Sequence, residues 1–112
     1  MSAYSIERVG PADLDDLLGL MRAYCDFYEV SPSDDDLFSL AKAQIDDPEA
    51  EGLQLIGRDS NGRAAGFATL YWTWSTTSAG RIGIMNDLFV AENARGQGLA
   101  EQLIEACRTE CV

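Results

Sequence analysis

The sequence contains no histidine. That removes every Ser-His-Asp and Cys-His nucleophile system from consideration and takes away the commonest metal ligand. Cysteine is scarce too. Three residues, an odd number without framework spacing, suit a reducing compartment better than a disulfide-stapled secreted domain. Cys107 and Cys111 are four apart and so share a helix face, but with no histidine and no second pair to complete a tetrahedral set, no metal site is expected. Basic residues are few: eight lysines and arginines stand against 19 aspartates and glutamates, a net charge of −11. Nucleic acid and anionic membrane are polyanions and would be repelled, whereas a cationic partner would be drawn in. No apolar run is long enough to span a bilayer, and the opening Met-Ser-Ala-Tyr-Ser has no charged region leading into an apolar one. Repeats, low-complexity tracts and dividing linkers are absent. A cytoplasmic, single-domain protein is the expectation.

What is present is a chain of 112 residues, 46% of them hydrophobic, long enough to bury one core. Tyr4 to Val9 reads as a short strand. Gly10-Pro11 ends it and places proline at the first position of a helix, with Asp13 and Asp15 in the dipole-favoured first turn. Leu14, Leu17, Leu18, Met21, Cys25 and Tyr28 then recur at three- and four-residue spacing and form one apolar stripe. The aromatic group Tyr24, Phe27, Tyr28 at the end of that helix admits two readings. It is core, or, beside Asp26 and Glu29, the rim of an amine site acting by charge and cation–π contact.

Ser31-Pro32 breaks the first helix, and Ser33 can cap a second one running to about Ile45, with Leu37, Leu40, Ala41 and Ile45 inward. The run Asp34-Asp35-Asp36 serves the first turn of that helix electrostatically, and as a local negative field it also suits a polyamine. Asp46-Asp47-Pro48 stops the helix. Leu53 to Arg58 and Ala64 to Trp74 are two strands around Asp59-Ser60-Asn61-Gly62, where Asn-Gly is a strong hairpin signal. Ser75 to Gly80 is a polar loop, and Arg81 to Val90 is a third consecutive strand of a length suited to antiparallel pairing.

The stretch Asp87 to Ile104 carries the chemistry. The apolar run Ile82 to Val90 gives way to a polar turn, and Gly96 and Gly98 then stand at the mouth of a helix whose Leu99, Leu103, Ile104 and Cys107 mark one face. A strand, glycine turn and helix in succession offer backbone N–H groups and a positive helix end to an anion, above all a phosphate. The same glycine pair is also what a plain tight turn needs. Arg95-x-x-Gly98-x-Ala100, directly after a strand ending Asp-Leu-Phe-Val, resembles the acetyl-coenzyme A signature of the GNAT N-acetyltransferase family.

The element order β-α-α-β-β-β-α resembles the first two-thirds of that family's domain. The resemblance implies an α/β fold of α+β type, a mixed, mainly antiparallel sheet flanked by helices, truncated before its second half. Residues 1–112 would then be a single, incomplete N-acetyltransferase domain. It further implies that the main chain of Leu88, Phe89 and Val90 aligns the pantetheine arm of acetyl-CoA. Arg95, Gly96, Gln97, Gly98, Leu99 and Ala100 would hold the pyrophosphate by their amides, with the Arg95 side chain added.

Asp26-Phe27-Tyr28-Glu29, Gly66-Phe67-Ala68, Thr73-Trp74-Ser75-Thr76 and Asn86-Asp87-Leu88-Phe89-Val90 resemble the diamine (spermidine/spermine) acetyltransferase branch. Asp26, Tyr28, Glu29 and Asn86 would by that resemblance meet the acceptor amine. Asn86 departs from the branch, which carries glutamate there, and an amide cannot take a proton from an amine. The base is then Asp87 or a water. The family's tyrosine acid belongs beyond Val112, and Tyr4, Tyr24, Tyr28 and Tyr71 do not match it.

The expected function is transfer of an acetyl group from acetyl-CoA to a primary amine of a small cationic acceptor such as a polyamine, with an amino acid or aminoglycoside as the alternative acceptor. The 112-residue piece alone is expected to be inactive, and a non-catalytic acyl-CoA-binding or self-associating fragment is the other class. An open edge on the strand Ile82 to Val90, with Leu103, Ile104 and Cys107 partly bare, implies a homodimer.

Overall fold

The computed structural model describes residues 3–111. Met1 and Ser2 of the opening pentapeptide, and Val112, lie outside the described residues. Strands β1 (Ser5–Arg8), β2 (Gly52–Arg58), β3 (Ala64–Ser75) and β4 (Gly80–Val90) form one sheet in the order β1-β2-β3-β4, antiparallel throughout. Helices α1 (Leu14–Phe27) and α2 (Asp34–Asp46) cover one face, and α4 (Leu99–Glu110) covers the other.

Local chemistry accounts for most of the borders. Pro11–Asp13 form a 3-10 turn ahead of α1, so proline opens that turn and not the α-helix itself. Asp13 accepts from the Gly10 N–H at 2.9 Å and from Arg58 at 2.9 Å. The other arm of Arg58 reaches Asp16 at 2.8 Å and the Gly62 carbonyl at 2.9 Å. One guanidinium therefore ties the start of α1 to the β2–β3 turn. Ser33 caps α2 by accepting from the Asp36 N–H at 3.0 Å. Asp47 ends α2 and at once caps a further single turn, α3 (Pro48–Glu51), by accepting from Ala50 at 3.3 Å, a helix the sequence pattern does not announce.

Two apolar layers sandwich the sheet. Beneath α1 and α2 lie Leu17, Leu20, Met21, Cys25, Leu37, Ala41, Ile56, Phe67 and Phe89. Leu20 takes the place expected of Tyr28: Tyr28 is the C-cap residue, past the last turn that keeps the stripe in phase, and is 59% exposed. On α2 the inward positions are Leu37, Ala41 and Gln44, so Leu40 stands on the flank, 38% exposed, and not in the core.

Beneath α4 lie Leu53, Leu55, Ala68, Leu70, Leu99, Leu103 and Cys107. Leu103 and Cys107 are buried and only Ile104 is bare, contrary to the expectation for all three. The reason is a cross-strand glycine pair. Gly57 on β2 faces Gly66 on β3, and a Cβ on either would stand 2.8 Å or 3.1 Å from the Leu99 side chain. Without those side chains α4 settles directly onto the sheet along Leu99, Leu103 and Cys107.

β4 is one of the two edge strands, β1 being the other, and has no neighbour on its outer side among the described residues. It also carries a bulge. Asp87 pairs with Thr69 and Met85 with Leu70, so Asn86 is an extra residue with no partner across the ladder. A bulge turns two consecutive side chains toward one face. Here those are Asn86 and Asp87, which line one cavity under α1 and α2.

Candidate active site

The turn after β4 leads through a 3-10 turn, Glu92–Ala94, to the glycine pair. Gly96 and Gly98 have φ of +78° and +86°, a left-handed conformation that side chains resist. Gly98 is the N-cap of α4, and no side chain caps that helix. Its first-turn N–H groups are thus left for another partner. A Cβ added at Gly96 or Gly98 would meet nothing within 4 Å, so the space in front of the turn is clear of protein. The opening there, about 300 Å³, is lined by Val90, Ala94, Arg95, Gly96, Gly98, Leu99, Ala100 and Glu101. The residues present fit an anionic group, apart from the Glu101 carboxylate on its border.

Of the residues expected to bind the cofactor, Gln97 alone turns elsewhere: its side chain accepts from the Tyr4 hydroxyl at 2.7 Å. Leu88, Phe89 and Val90 line a second opening with Tyr24, Phe27, Tyr28 and Arg95. Arg95 separates the two. Its Nε donates to the Val90 carbonyl at 2.9 Å, and its guanidinium lies 5.9 Å and 5.8 Å from the ring centres of Phe27 and Phe89.

A third space, about 180 Å³, opens at the bulge. Asn86 and Asp87 form one wall of it, Tyr24 and Tyr71 flank them, and Met21, Leu37, Leu40 and Phe67 supply apolar surface. Asn86 donates to Asp87 at 3.3 Å. Burial raises the Tyr24 phenol well above its ordinary value, and the neighbouring Asp87 carboxylate raises it further. Burial likewise raises Tyr71, helped by the charges of Asp87 and Glu51. Both hydroxyls therefore stay neutral donors and acceptors at physiological pH.

Tyr28 and Asn86 each border one of these spaces, but Asp26 and Glu29 are exposed and are among the lining residues of none of the three. Asp26 instead lends its charge to Arg22, which pairs with Asp34. Asp34 thus serves to tie α2 to α1. The aromatic group divides the same way: Tyr24 packs edge-on against Phe67 and Phe89, whereas Phe27 and Tyr28 are exposed.

Sequence reasoning offered Tyr24 only as one of an aromatic group that was either core or the rim of an amine site, and did not offer Tyr71 as a site residue. Tyr24 follows Leu17 by seven and Met21 by three, which marks it as inward-facing. Nothing in that spacing says which strand residue it meets. Burial pushes the Cys107 thiol up to about 11, so it is no thiolate at neutral pH. Among the described residues, no helix is long and apolar enough to cross a membrane.

Residues 17–112 match the family model described as the acetyltransferase (GNAT) family. An uncharacterized N-acetyltransferase of Bacillus subtilis, YhfO, is 30% identical over 104 residues, spanning 93% of this chain and 68% of that protein. Among solved structures, an integron cassette protein from the mobile metagenome of Cole Harbour Salt Marsh superposes with a TM-score of 0.88 at 22% identity, covering 95% of this chain and 68% of the other. The aminoglycoside N-acetyltransferase AAC(6')-Iy in complex with CoA superposes with a TM-score of 0.82 at 19% identity, over 98% of this chain and 70% of that one. The mixed fold, with its antiparallel sheet between helices, is shared with these structures. On the family match and the YhfO relationship together, this chain belongs to the GNAT family of acetyltransferases.

Proposed function

We propose that this chain is the acetyl-CoA-binding part of an N-acetyltransferase that acylates a primary amine of a small cationic acceptor. One observation carries the reading. The opening at the uncapped, glycine-lined start of α4 reaches Val90, the last residue of β4, and the Asn86–Asp87 bulge lies on that same strand, with Asp87 only three residues before Val90, about 10 Å of extended chain. An anionic cofactor held at the turn would lie beside β4 with its reactive end toward the carboxylate.

In this reading the amides from Arg95 to Ala100 hold the pyrophosphate, and the Arg95 guanidinium leaves its Val90 carbonyl to add a charge-assisted bond. The Gln97 side chain, engaged with Tyr4, contributes through its main chain only. Main-chain groups of Leu88, Phe89 and Val90 orient the pantetheine arm and offer the carbonyl oxygen a donor as it becomes an oxyanion. Asp87 collects the ammonium and takes one proton from it, directly or through a water. The nitrogen lone pair forms the N–C bond, the C–S bond breaks, and the thiolate leaves with the second proton. Tyr24 and Tyr71, with raised pKa values, are poor acids and are not assigned that last step.

The net charge of −11 favours cationic acceptors as a class. Within that class the resemblance to the diamine branch suggests a polyamine, with an aminoglycoside or amino acid as the alternative, and the lining of the bulge cavity decides among them. In this reading residues 1–112 belong to a single domain, and the chain spans 68% of YhfO. A homodimer through the β4 edge completes the proposal.

The test is calorimetric titration with acetyl-CoA followed by mass spectrometry of an amine panel incubated with both. Saturable binding with an N-acetylated amine supports the proposal. Binding without product, in the whole protein, points to the non-catalytic acyl-CoA-binding alternative, and no binding overturns both.

A further inference from the structure

We infer that the acceptor lodged at Asp87 is a primary amine carrying one positive charge on a short apolar body, so the site selects against diamines and polyamines. The inference rests on the amine N-acetyltransferase reading above and narrows its acceptor. Asp87 is the sole carboxylate among the described residues that line the bulge cavity. Tyr24 and Tyr71 beside it are neutral, so an ammonium there meets one counter-charge, two hydroxyl oxygens and two aromatic faces.

The remaining wall is the Asn86 amide, which donates to Asp87, and the side chains of Met21, Cys25, Leu37, Leu40 and Phe67. It suits methylene or aryl groups and offers no second carboxylate to a second ammonium, which would be desolvated without a counter-charge. The same wall would strand the hydroxyls of a sugar. Carboxylates that could hold a second charge lie elsewhere. Asp26 and Glu29 are exposed outside the cavity, Asp34 is paired with Arg22, and Glu51, whose charge Tyr71 feels, stands exposed on α3. The strong negative charge of the chain is therefore a surface property, and the cavity itself holds a single charge.

A matched five-carbon set tests this directly: pentylamine, 1,5-diaminopentane and 1-pentanol, titrated into the labelled chain while the amide resonances of Tyr71, Asn86 and Asp87 are followed. Pentylamine is expected to bind tightest, with the diamine and the alcohol each weaker by about tenfold or more. Diamine binding equal to or tighter than pentylamine overturns the inference, as does failure of every amine to move those resonances.

Two variants sharpen the test. Leu40→Asp puts a second carboxylate at the half-exposed mouth and should bring the diamine to parity or better, while Asp87→Asn should erase the preference for amine over alcohol. If the diamine gains nothing from Leu40→Asp in a folded variant, the account of the wall is wrong. Acetyl-CoA titration of the same samples judges the transferase reading separately, since the ranking of amines does not depend on it.

Discussion

Tyr24 on α1 and Asp87 on β4 line the same cavity at the bulge, where the carboxylate adds to burial in keeping the Tyr24 phenol protonated. Asn86 holds that carboxylate from the strand side, donating to it at 3.3 Å.

Removing the Tyr24 hydroxyl with Tyr24→Phe should leave the fold intact, because the ring keeps its edge contacts with Phe67 and Phe89. Amine affinity should fall several-fold while acetyl-CoA affinity is unchanged. The pH dependence has a definite sign. The folded-state pKa is raised, so the stabilisation is fully present below the unfolded value near 10 and is lost as pH rises above it. Ultraviolet titration should show two phenols, Tyr24 and Tyr71, ionising later than ordinary tyrosine in the wild type and only one in the variant. An ordinary titration of every phenol in the wild type would contradict the buried placement of Tyr24 beside Asp87.

The Asp13–Arg58 contact predicts behaviour at acid pH. The Gly10 N–H, opposed by burial and assisted by Arg58, holds the Asp13 carboxyl below its ordinary value of 3.8. Its contribution is therefore present above about pH 4 and is lost as pH falls below that. Asp13→Asn should cost about 1–3 kcal/mol at pH 7 and flatten the acid limb of the stability curve. Denaturant melts at pH 7 and pH 3 would check this, and equal losses at both would refute it.

A Cβ at Gly66 would lie 2.7 Å from the Phe89 carbonyl oxygen and 3.1 Å from Leu99. The first contact is backbone and cannot move aside cheaply. Gly66→Ala should destabilise the chain by about 1–3 kcal/mol and weaken acetyl-CoA binding, since lifting Leu99 moves the start of α4. A calorimetric melting point equal to wild type would show that the glycine pair is not what seats the helix.

The β4 edge leaves a row of backbone groups without strand partners among the described residues, with Ile82, Ile84 and Met85 from 37% to 46% exposed. Pairing of this edge with its two-fold mate is expected to give a dimer. Light scattering over a concentration series should show the mass doubling. A folded monomer at high micromolar concentration would rule the edge contact out.

The order of the elements was legible because its signals are local. Asn61-Gly62 marks the hairpin, Ser33 the cap of α2, and Pro11 the approach to α1. Features that depend on register were not. The Asn86 bulge exists only relative to Thr69 and Leu70 across the ladder, and the meeting of Gly57 with Gly66 likewise. Leu40 illustrates the limit of periodicity: it fits the apolar stripe of α2, yet Gln44 is buried and Leu40 flanks a cavity. The turn from Arg95 to Ala100 could be read as a possible anion site, whereas Tyr24 opposite Asp87 could not, since the two come together only through the packing of α1 on the sheet.

The most direct test of the central claim compares acetyl-CoA binding by titration calorimetry in wild type, Gly98→Val and Gly62→Val. Gly62 has φ of +82° with open space around it in the β2–β3 turn, so its valine variant carries comparable backbone strain away from the site. Both variants should lose stability. Only Gly98→Val should lose acetyl-CoA affinity, by about tenfold or more, equivalent to about 1.4 kcal/mol. Unchanged affinity in a folded Gly98→Val protein, or equal loss in both variants, would contradict the placement of the cofactor at the start of α4.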